Sequence, residues 1–270
     1  MHPVLFHLTE TFSVHTYGVM IAVGTLLAVL IANRWARAEG LPAETMTDLG
    51  FWAIVAGVVG ARLEYIRVNW HHFQTAGLGP MLNVRDGGLV FYGGLIGVLI
   101  AFVLLVVRRR LPVLKVLDIM APLIPFGQMF GRLGCFAAGC CYGLPTDKPW
   151  AVTFTDPMAV APKGIALHPT QLYAVGYAAA LCGLLLFLRG RKRFDGQLIL
   201  TYLTIYPILR SLNELVRGDL QRGFVMEDLL GQTLSNAQFI SLLIAAAAAV
   251  GWVVMLRASK DASPGRGAKA

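Results

Sequence analysis

The sequence predicts an all-α, polytopic membrane protein with seven transmembrane helices, its N-terminus outside and its C-terminus in the cytoplasm. Three observations predict it. Hydrophobic residues make up 56% of the 270-residue chain before its 29 glycines are counted, and charged residues only 14%, against about 25% in ordinary globular domains. The apolar residues gather into seven runs near the length that crosses a bilayer, about 20 residues. The basic residues lie in short clusters between those runs, as they do in cytoplasmic membrane loops. A disordered chain, a coiled coil and an ordinary cytosolic enzyme are thereby disfavoured. The net charge of +8 reads as membrane loops rather than a nucleic-acid surface, so no nucleic-acid partner is expected.

Met1 to Thr16 holds no lysine or arginine and carries Glu10, so it does not read as a cleaved signal peptide. The predicted spans run Tyr17–Ala32, Leu49–Leu63, Leu89–Val107, Val113–Phe130, Thr170–Leu188, Gln197–Leu212 and Ala237–Leu256. The fourth is interrupted by Asp118, Pro122 and Pro125, and prolines at that depth need neighbouring helices to satisfy the freed backbone groups. With the N-terminus outside, the loops after spans one, three and five and the tail face the cytoplasm. They hold more than half of the 23 lysines and arginines, which sets the N-out, C-in orientation. Residues 1–256 form a single membrane domain in this reading, and the polar tail 257–270 is expected to be disordered. No internal repeat relates the two halves.

The densest unusual stretch is Gly131-Arg132-Leu133-Gly134-Cys135-Phe136-Ala137-Ala138-Gly139-Cys140-Cys141-Tyr142-Gly143. Its glycines permit close approach of backbones or a ligand, and Arg132 offers a planar fork suited to phosphate. By itself the stretch also reads as small-residue helix packing with a snorkelling arginine. His168-Pro169-Thr170-Gln171-Leu172-Tyr173 opens the fifth span, and alone it reads as a helix start with an interfacial tyrosine. Arg210 and Glu214 are four apart on one helical face, with Arg217 three further on, a spacing that favours self-neutralising pairs. Arg217, nearer the span end, is expected to be the more easily hydrated. Tyr92-Gly93-Gly94-Leu95-Ile96-Gly97 reads first as close helix packing, and Arg62 with Glu64 as a neutralised helix end.

The predicted topology places Arg62, Arg132, His168, Arg210 and Arg217 in the outer half of the membrane. Cations gathered there call for an anion, and a phospholipid headgroup has the right chemistry. A transporter or channel for an anionic solute is the rival, because embedded arginines also mark anion pathways. A seven-helix photoreceptor is excluded, since Ala237–Leu256 has no lysine for a retinal Schiff base.

GRLGCFAAGCCYG, HPTQLYA, FYGGLIG, VHTYGVM and LRSLNELVRGD, spread over almost the whole chain, together resemble the bacterial prolipoprotein diacylglyceryl transferases. The resemblance implies a multi-pass enzyme of the bacterial plasma (inner) membrane that moves the diacylglyceryl group of phosphatidylglycerol onto the lipobox cysteine thiol of a prolipoprotein, leaving glycerol 1-phosphate. Membrane lipids are its surroundings. By the resemblance, Arg132 and Arg210 match the essential arginines, and Tyr17, Arg62, Gly143, His168, Gln171, Tyr173, Glu214 and Arg217 match further family positions. Four positions depart: Tyr92 stands where the family usually has histidine, Cys135 where it has asparagine, Cys140 where it has glutamate and Ala174 where it has glutamate. A paralogue with a different lipid donor or acceptor would account for such departures.

The implied reaction is attack by a thiolate on the glycerol carbon bonded to a phosphate oxygen. Its catalysis consists of holding two substrates in line and stabilising the departing phosphate. Arg132 and Arg210 are assigned to a phosphate clamp, Glu214 to orienting an arginine, and Tyr92, Tyr17 or His168 to assisting thiol deprotonation. No cofactor and no metal are expected. Cys135, Cys140, Cys141 and Cys182 lack the paired C-x-x-C spacing of a zinc site. They read as small buried hydrophobes, with a disulfide open to the motif cysteines on an oxidising side. A lipidated enzyme cysteine would be a dead end, because a thioether is a far poorer leaving group than a phosphate.

Overall fold

The computed structural model describes residues 2–9, 12–42, 44–76, 79, 81, 88–219, 224–226 and 234–261. Two compact units make up the chain, Met1–Ala28 with Leu117–Ala270 and, separately, Val29–Val116. The long helix α1 (Thr16–Ala38) begins in the first unit and ends in the second. Ahead of it, β1 (Val4–Thr9) and β2 (Phe12–His15) form an antiparallel hairpin. The Thr16 amide donates to Pro3 O at 3.0 Å and its hydroxyl to His2 O, which ties the helix start to the hairpin.

In the second unit, α2 (Thr45–Val68) is followed by the short α3 (Trp70–Ala76) and then α4 (Phe91–Arg108). Glycines let α2 and α4 touch through their backbones. A Cβ on Gly93 would strike Gly60 O and the Glu64 side chain, one on Gly97 would strike Ala56 O, and one on Gly94 would lie 3.1 Å from Gly57 O. The glycines of the Tyr92–Gly97 stretch therefore do the packing work that their spacing suggests. The Asp48–Arg109 ion pair, at 2.5 Å, joins the start of α2 to the end of α4.

The broken fourth span has a physical explanation. It is two helices, α5 (Val113–Met120) and α6 (Leu123–Ala138), with Pro122 as the N-cap of the second and Pro125 in its first turn, where a missing N–H costs nothing. Asp118 is almost fully buried and accepts hydrogen bonds from the amides of Gly196 (2.9 Å), Leu198 (2.9 Å) and Ile199 (3.1 Å), with Lys192 Nζ at 3.4 Å. It thus caps α8 (Gln197–Glu214) from a remote part of the sequence, satisfying amides that a helix start leaves open.

α7 (Thr170–Arg189) and α8 complete a core with α6, built on Ala121, Leu181, Leu185, Leu198, Ile199 and Tyr202. Gln128 Nε2 donates to the Tyr202 hydroxyl at 2.9 Å. β3 (Val152–Thr153) and β4 (Ala166–Leu167) pair between α6 and α7 over a small core of Phe154, Ala159, Ala161 and Leu167. β5 (Phe224–Met226) and β6 (Leu234–Ser235) form a last antiparallel pair before α9 (Asn236–Asp261). α9 packs on α8 through Gly251, whose Cβ would lie 2.7 Å from Leu200, and through Trp252 Nε1 donating to Thr204 Oγ1 at 3.1 Å.

Among the described residues, six stretches are helical, long and apolar enough to cross a membrane: Thr16–Ala38, Thr45–Val68, Phe91–Arg108, Val113–Ala138, Thr170–Arg189 and Asn236–Arg257. Large apolar side chains on them face outward, among them Leu30, Ile54, Leu104 and Val250, which suits a lipid solvent and not water. The predicted span Gln197–Leu212 is the helix α8 but lies outside that set, since it carries Thr201, Tyr202, Thr204 and Tyr206, three of which hydrogen-bond to neighbouring helices or back to their own backbone. The last helix continues past Leu256 to Asp261, because Ala258 to Asp261 extend it without a breaker; the rest of the predicted tail, 262–270, lies outside the described residues.

Candidate active site

The C-terminus of α6 places the motif residues. Gly139 adopts a left-handed φ of 71° and ends the helix, and the Cys140 amide returns to Cys135 O at 3.1 Å. This is the six-to-one hydrogen bond of a Schellman turn. It folds Cys140 back over Cys135, and Cys141, itself left-handed at φ 58°, turns the same way. The three sulfurs consequently lie within 4.8 Å of one another. The linear spacing of the cysteines did not anticipate this cluster, which exists only once the turn is made.

Beyond the turn, the chain runs as an extended centre between two other motif segments. On one side the Gly143 amide donates to His168 O at 3.0 Å and the His168 amide to Leu144 O at 3.0 Å. On the other, the Leu144 amide donates to Val216 O at 2.9 Å and the Gly218 amide to Tyr142 O at 3.1 Å. Gly143 lies where all three segments converge, so that a Cβ there would meet His168 and, at 2.8 Å, Val216 O. From the start of α7, Thr170 Oγ1 donates to Cys141 O at 2.6 Å and Gln171 Nε2 to Cys140 O at 2.7 Å. The motifs around residues 131–143, 168–173 and 210–217 are thus one structure.

The charges are arranged unequally within it. Arg210 and Arg217 both pair with the buried Glu214, Arg217 at 3.7 Å, and Arg217 also forms a two-pronged bond to Asp219 at 2.8 and 2.5 Å. Arg217 is only 7% exposed, contrary to the hydrated position expected near a span end, because the chain turns back onto Gly143 directly after α8. Arg132 differs. Among the described residues its guanidinium donates no hydrogen bond and forms no ion pair, although the side chain is half-buried and feels the fields of Cys141, Cys135, Tyr206 and Tyr177. The phenol of Tyr177 in turn lies in the fields of Arg132, Arg210 and Arg217. Of these three guanidinium groups, two are paired with carboxylates, and among the described residues the third, that of Arg132, is not.

The neighbouring polar groups are held in fixed positions. Trp150 Nε1 donates to the Tyr173 oxygen at 2.7 Å, and the Tyr173 hydroxyl is hydrogen-bonded to His168 Nδ1 at 3.0 Å. Gln171 Oε1 and Asn213 Oδ1 are buried acceptors with no hydrogen-bond partner among the described residues. Outside the membrane-spanning helices, hydrogen bonds from the Cys135 and Cys140 thiols, then the fields of Arg217 and Arg132, hold the Cys141 thiol below its ordinary range. Hydrogen bonds with Cys135 and Cys141 push the Cys140 thiol up.

Of the sequence-predicted site residues, Arg132, Gly143, His168, Gln171, Tyr173, Arg210, Glu214 and Arg217 fall in this unit. So does Tyr17, whose backbone and ring press on Gly134 at 3.0 Å from that glycine's would-be Cβ. Arg62 and Tyr92 belong to the other unit. There Arg62 is buried, donating to Met81 O (2.9 Å) and Gly88 O (3.0 Å) with its guanidinium over the Tyr65 ring, while Tyr92 is exposed beside Phe91 at the start of α4. An apolar groove of about 590 Å³ on that unit runs between α2 and α4 past Trp52, Gly60, Leu63 and Ile100. Sequence reasoning gave no site role to Trp150, Thr170, Tyr177, Gly218 and Asp219, although Thr170, Gly218 and Asp219 lie within the quoted motifs and Tyr177 one helical turn beyond Tyr173.

The family model described as prolipoprotein diacylglyceryl transferase matches residues 3–254. The chain belongs to the prolipoprotein diacylglyceryl transferase family. The match spans both compact units. Among its relatives are proteins named phosphatidylglycerol–prolipoprotein diacylglyceryl transferase from Clostridium tetani, 36% identical over 242 residues that cover 90% of this chain and 93% of the relative, and from Finegoldia magna, 35% identical over 204 residues, 75% and 79% of the two chains. A protein of the same name from Bordetella parapertussis is 32% identical over 234 residues, 85% and 86% of the two. Of the two arginines that the family resemblance marks, Arg210 is paired with Glu214, and Arg132 makes no hydrogen bond or ion pair among the described residues.

Proposed function

We infer that this chain transfers the diacylglyceryl group of phosphatidylglycerol to the lipobox cysteine thiol of a prolipoprotein and releases glycerol 1-phosphate, the first step of lipoprotein maturation. The observation that carries this reading is Arg132, a half-buried guanidinium that pairs with no carboxylate among the described residues, in the same compact unit as the Arg210–Glu214–Arg217 network. A half-buried cation of that kind is suited to an anionic partner, and the phosphodiester of phosphatidylglycerol supplies one with oxygens that suit a planar fork.

In the reaction the substrate thiolate attacks the glycerol carbon next to the phosphodiester oxygen, the carbon–oxygen bond breaks, and the phosphate gains a second negative charge. Arg132 stabilises that charge as it develops, and Arg210, set by Glu214, adds its field without a proton changing place. Gln171 and Tyr173 border the site, Gln171 with an acceptor that has no hydrogen-bond partner among the described residues and Tyr173 holding His168. Arg62 and Tyr92 remain assigned to substrate contact by the family resemblance alone. The protein spans the bacterial inner membrane seven times in this reading, α8 being the sixth span and α9 the seventh, with the N-terminus out and the C-terminus in.

The test is incubation of the purified protein with phosphatidylglycerol labelled in its acyl chains and a lipobox peptide. Label on the peptide cysteine, with glycerol 1-phosphate formed in equal amount, is the expected result. Uptake of an anionic solute into vesicles without any thioether product would instead favour the transporter.

A further inference from the structure

The three sulfurs at the end of α6 have no role in that mechanism. Cys135, Cys140 and Cys141 come from one helix end and one turn, all within 4.8 Å of one another. Zinc–sulfur bonds of about 2.3 Å in a tetrahedral site put sulfurs roughly 3.8 Å apart, so side-chain adjustments of an ångström or less would close the triangle on an ion. The backbone beneath is already fixed. The Schellman bond holds Cys140 over Cys135, Thr170 Oγ1 binds Cys141 O, and Gln171 Nε2 binds Cys140 O, the outer support that a metal site needs to keep its ligands aimed. Arg132 lies three residues before Cys135 on the same helical face, a cation beside a site whose three thiolates would leave a divalent ion with one excess negative charge.

We propose that Cys135, Cys140 and Cys141 bind one zinc ion whose fourth position is taken by the thiol of the acceptor cysteine. Three protein ligands with one open position is the arrangement of a catalytic zinc site, and thiolates select a soft ion. A thiol that ligates zinc loses its proton, which passes to solvent, so the nucleophile is formed without a basic side chain. This bears directly on a chain that has Tyr92 where the family usually has histidine. The zinc-bound thiolate then forms the sulfur–carbon bond as the carbon–oxygen bond to phosphate breaks. The singly charged phosphodiester becomes a doubly charged monoester, which balances the released proton, and the neutral thioether is a weak ligand that departs. The site's two halves stand side by side for this, the sulfurs for the nucleophile and Arg132 for the leaving phosphate.

The proposal rests on the transferase reading, and the two fail differently. Full-length protein in lipid nanodiscs, purified without chelator, is analysed for zinc and then exchanged with cobalt(II), whose thiolate charge-transfer band reports its sulfur ligands. One zinc per chain is expected. A lipobox peptide should raise the cobalt band by about a third, as three sulfurs become four, and its cysteine-to-serine version should leave the band unchanged. Stripping the zinc should slow transfer roughly a hundredfold, with recovery on readdition. C135S, C140S and C141S should each lose the ion, and C182S should keep both ion and activity. Transfer at full rate by zinc-free protein, a disulfide among the three cysteines in active protein, copper in place of zinc, or identical cobalt spectra with the two peptides would each overturn the proposal and leave the transferase reading standing. Bound zinc in protein that makes no thioether product would overturn the transferase reading itself. The metal analysis and the cobalt titration use unaltered protein, so they decide the matter even if a cysteine variant fails to fold.

Discussion

Arg210 and Glu214 form an ion pair one helical turn apart at the end of α8, their side chains 12% and 2% exposed, and Arg217 reaches the same carboxylate from beyond the helix. One buried acid therefore holds two buried cations. Glu214→Ala should destabilise the folded protein by roughly 3–5 kcal/mol, the cost of stranding buried charge. Glu214→Gln should retain more of the stability and still lower transfer, because a neutral amide orients Arg210 less firmly. Thermal unfolding in detergent and initial rates check the two effects separately.

Arg132 has no hydrogen bond or ion pair to lose among the described residues, so Arg132→Ala should leave thermal stability near that of the parent. Its transfer rate should fall roughly a hundred- to a thousandfold, the cost of one transition-state charge donor. Arg132→Lys should recover little, since a point charge does not reproduce the planar fork. Arg210→Ala should lower transfer by a similar factor. Parent-like rates in both alanine variants would remove the phosphate clamp.

Gly143 has no space for a methyl group between His168 and Val216. Gly143→Ala should cost roughly 1–3 kcal/mol of stability through forced displacement of three backbone segments, and it should impair transfer because the arginines and His168 hang on those segments. Gly176→Ala, where nothing lies within 4 Å of the added carbon, is the matched control and should be neutral or slightly stabilising.

Asp118 accepts from three amides at the start of α8. Asp118→Ala should lower stability by roughly 2–4 kcal/mol, since buried amides lose a charged acceptor. The rate per folded molecule should stay close to the parent's. A strongly reduced rate in well-folded protein would give Asp118 a part in catalysis that its position as a helix cap does not provide.

The N-out, C-in orientation predicts that a reporter active only in the cytoplasm works when fused after Ala270, and that a reporter active only outside does not. The reverse result would overturn the orientation and put the arginine site on the wrong face for acceptors outside the cell.

By itself the sequence determined what depends on local pattern. Six predicted spans coincide with helical stretches of membrane-crossing length, the fourth broken at Ala121–Pro122, because a lipid solvent demands long apolar runs with self-satisfied backbones. The spacing of Arg132 and Cys135, and of Arg210, Glu214 and Arg217, could be read as shared helical faces for the same reason. The tertiary structure alone decided what depends on residues far apart in the chain. Asp118 looked like a defect in a span and is a cap for a helix nearly eighty residues later. Cysteines without zinc spacing became a cluster because a left-handed Gly139 reversed the chain. Three motif segments joined into one site because Gly143 lacks a side chain and the backbones of His168 and Val216 bond on either side of it. Linear spacing records which residues share a helix face. Hydrogen bonds between distant backbones appear only once the chain has folded.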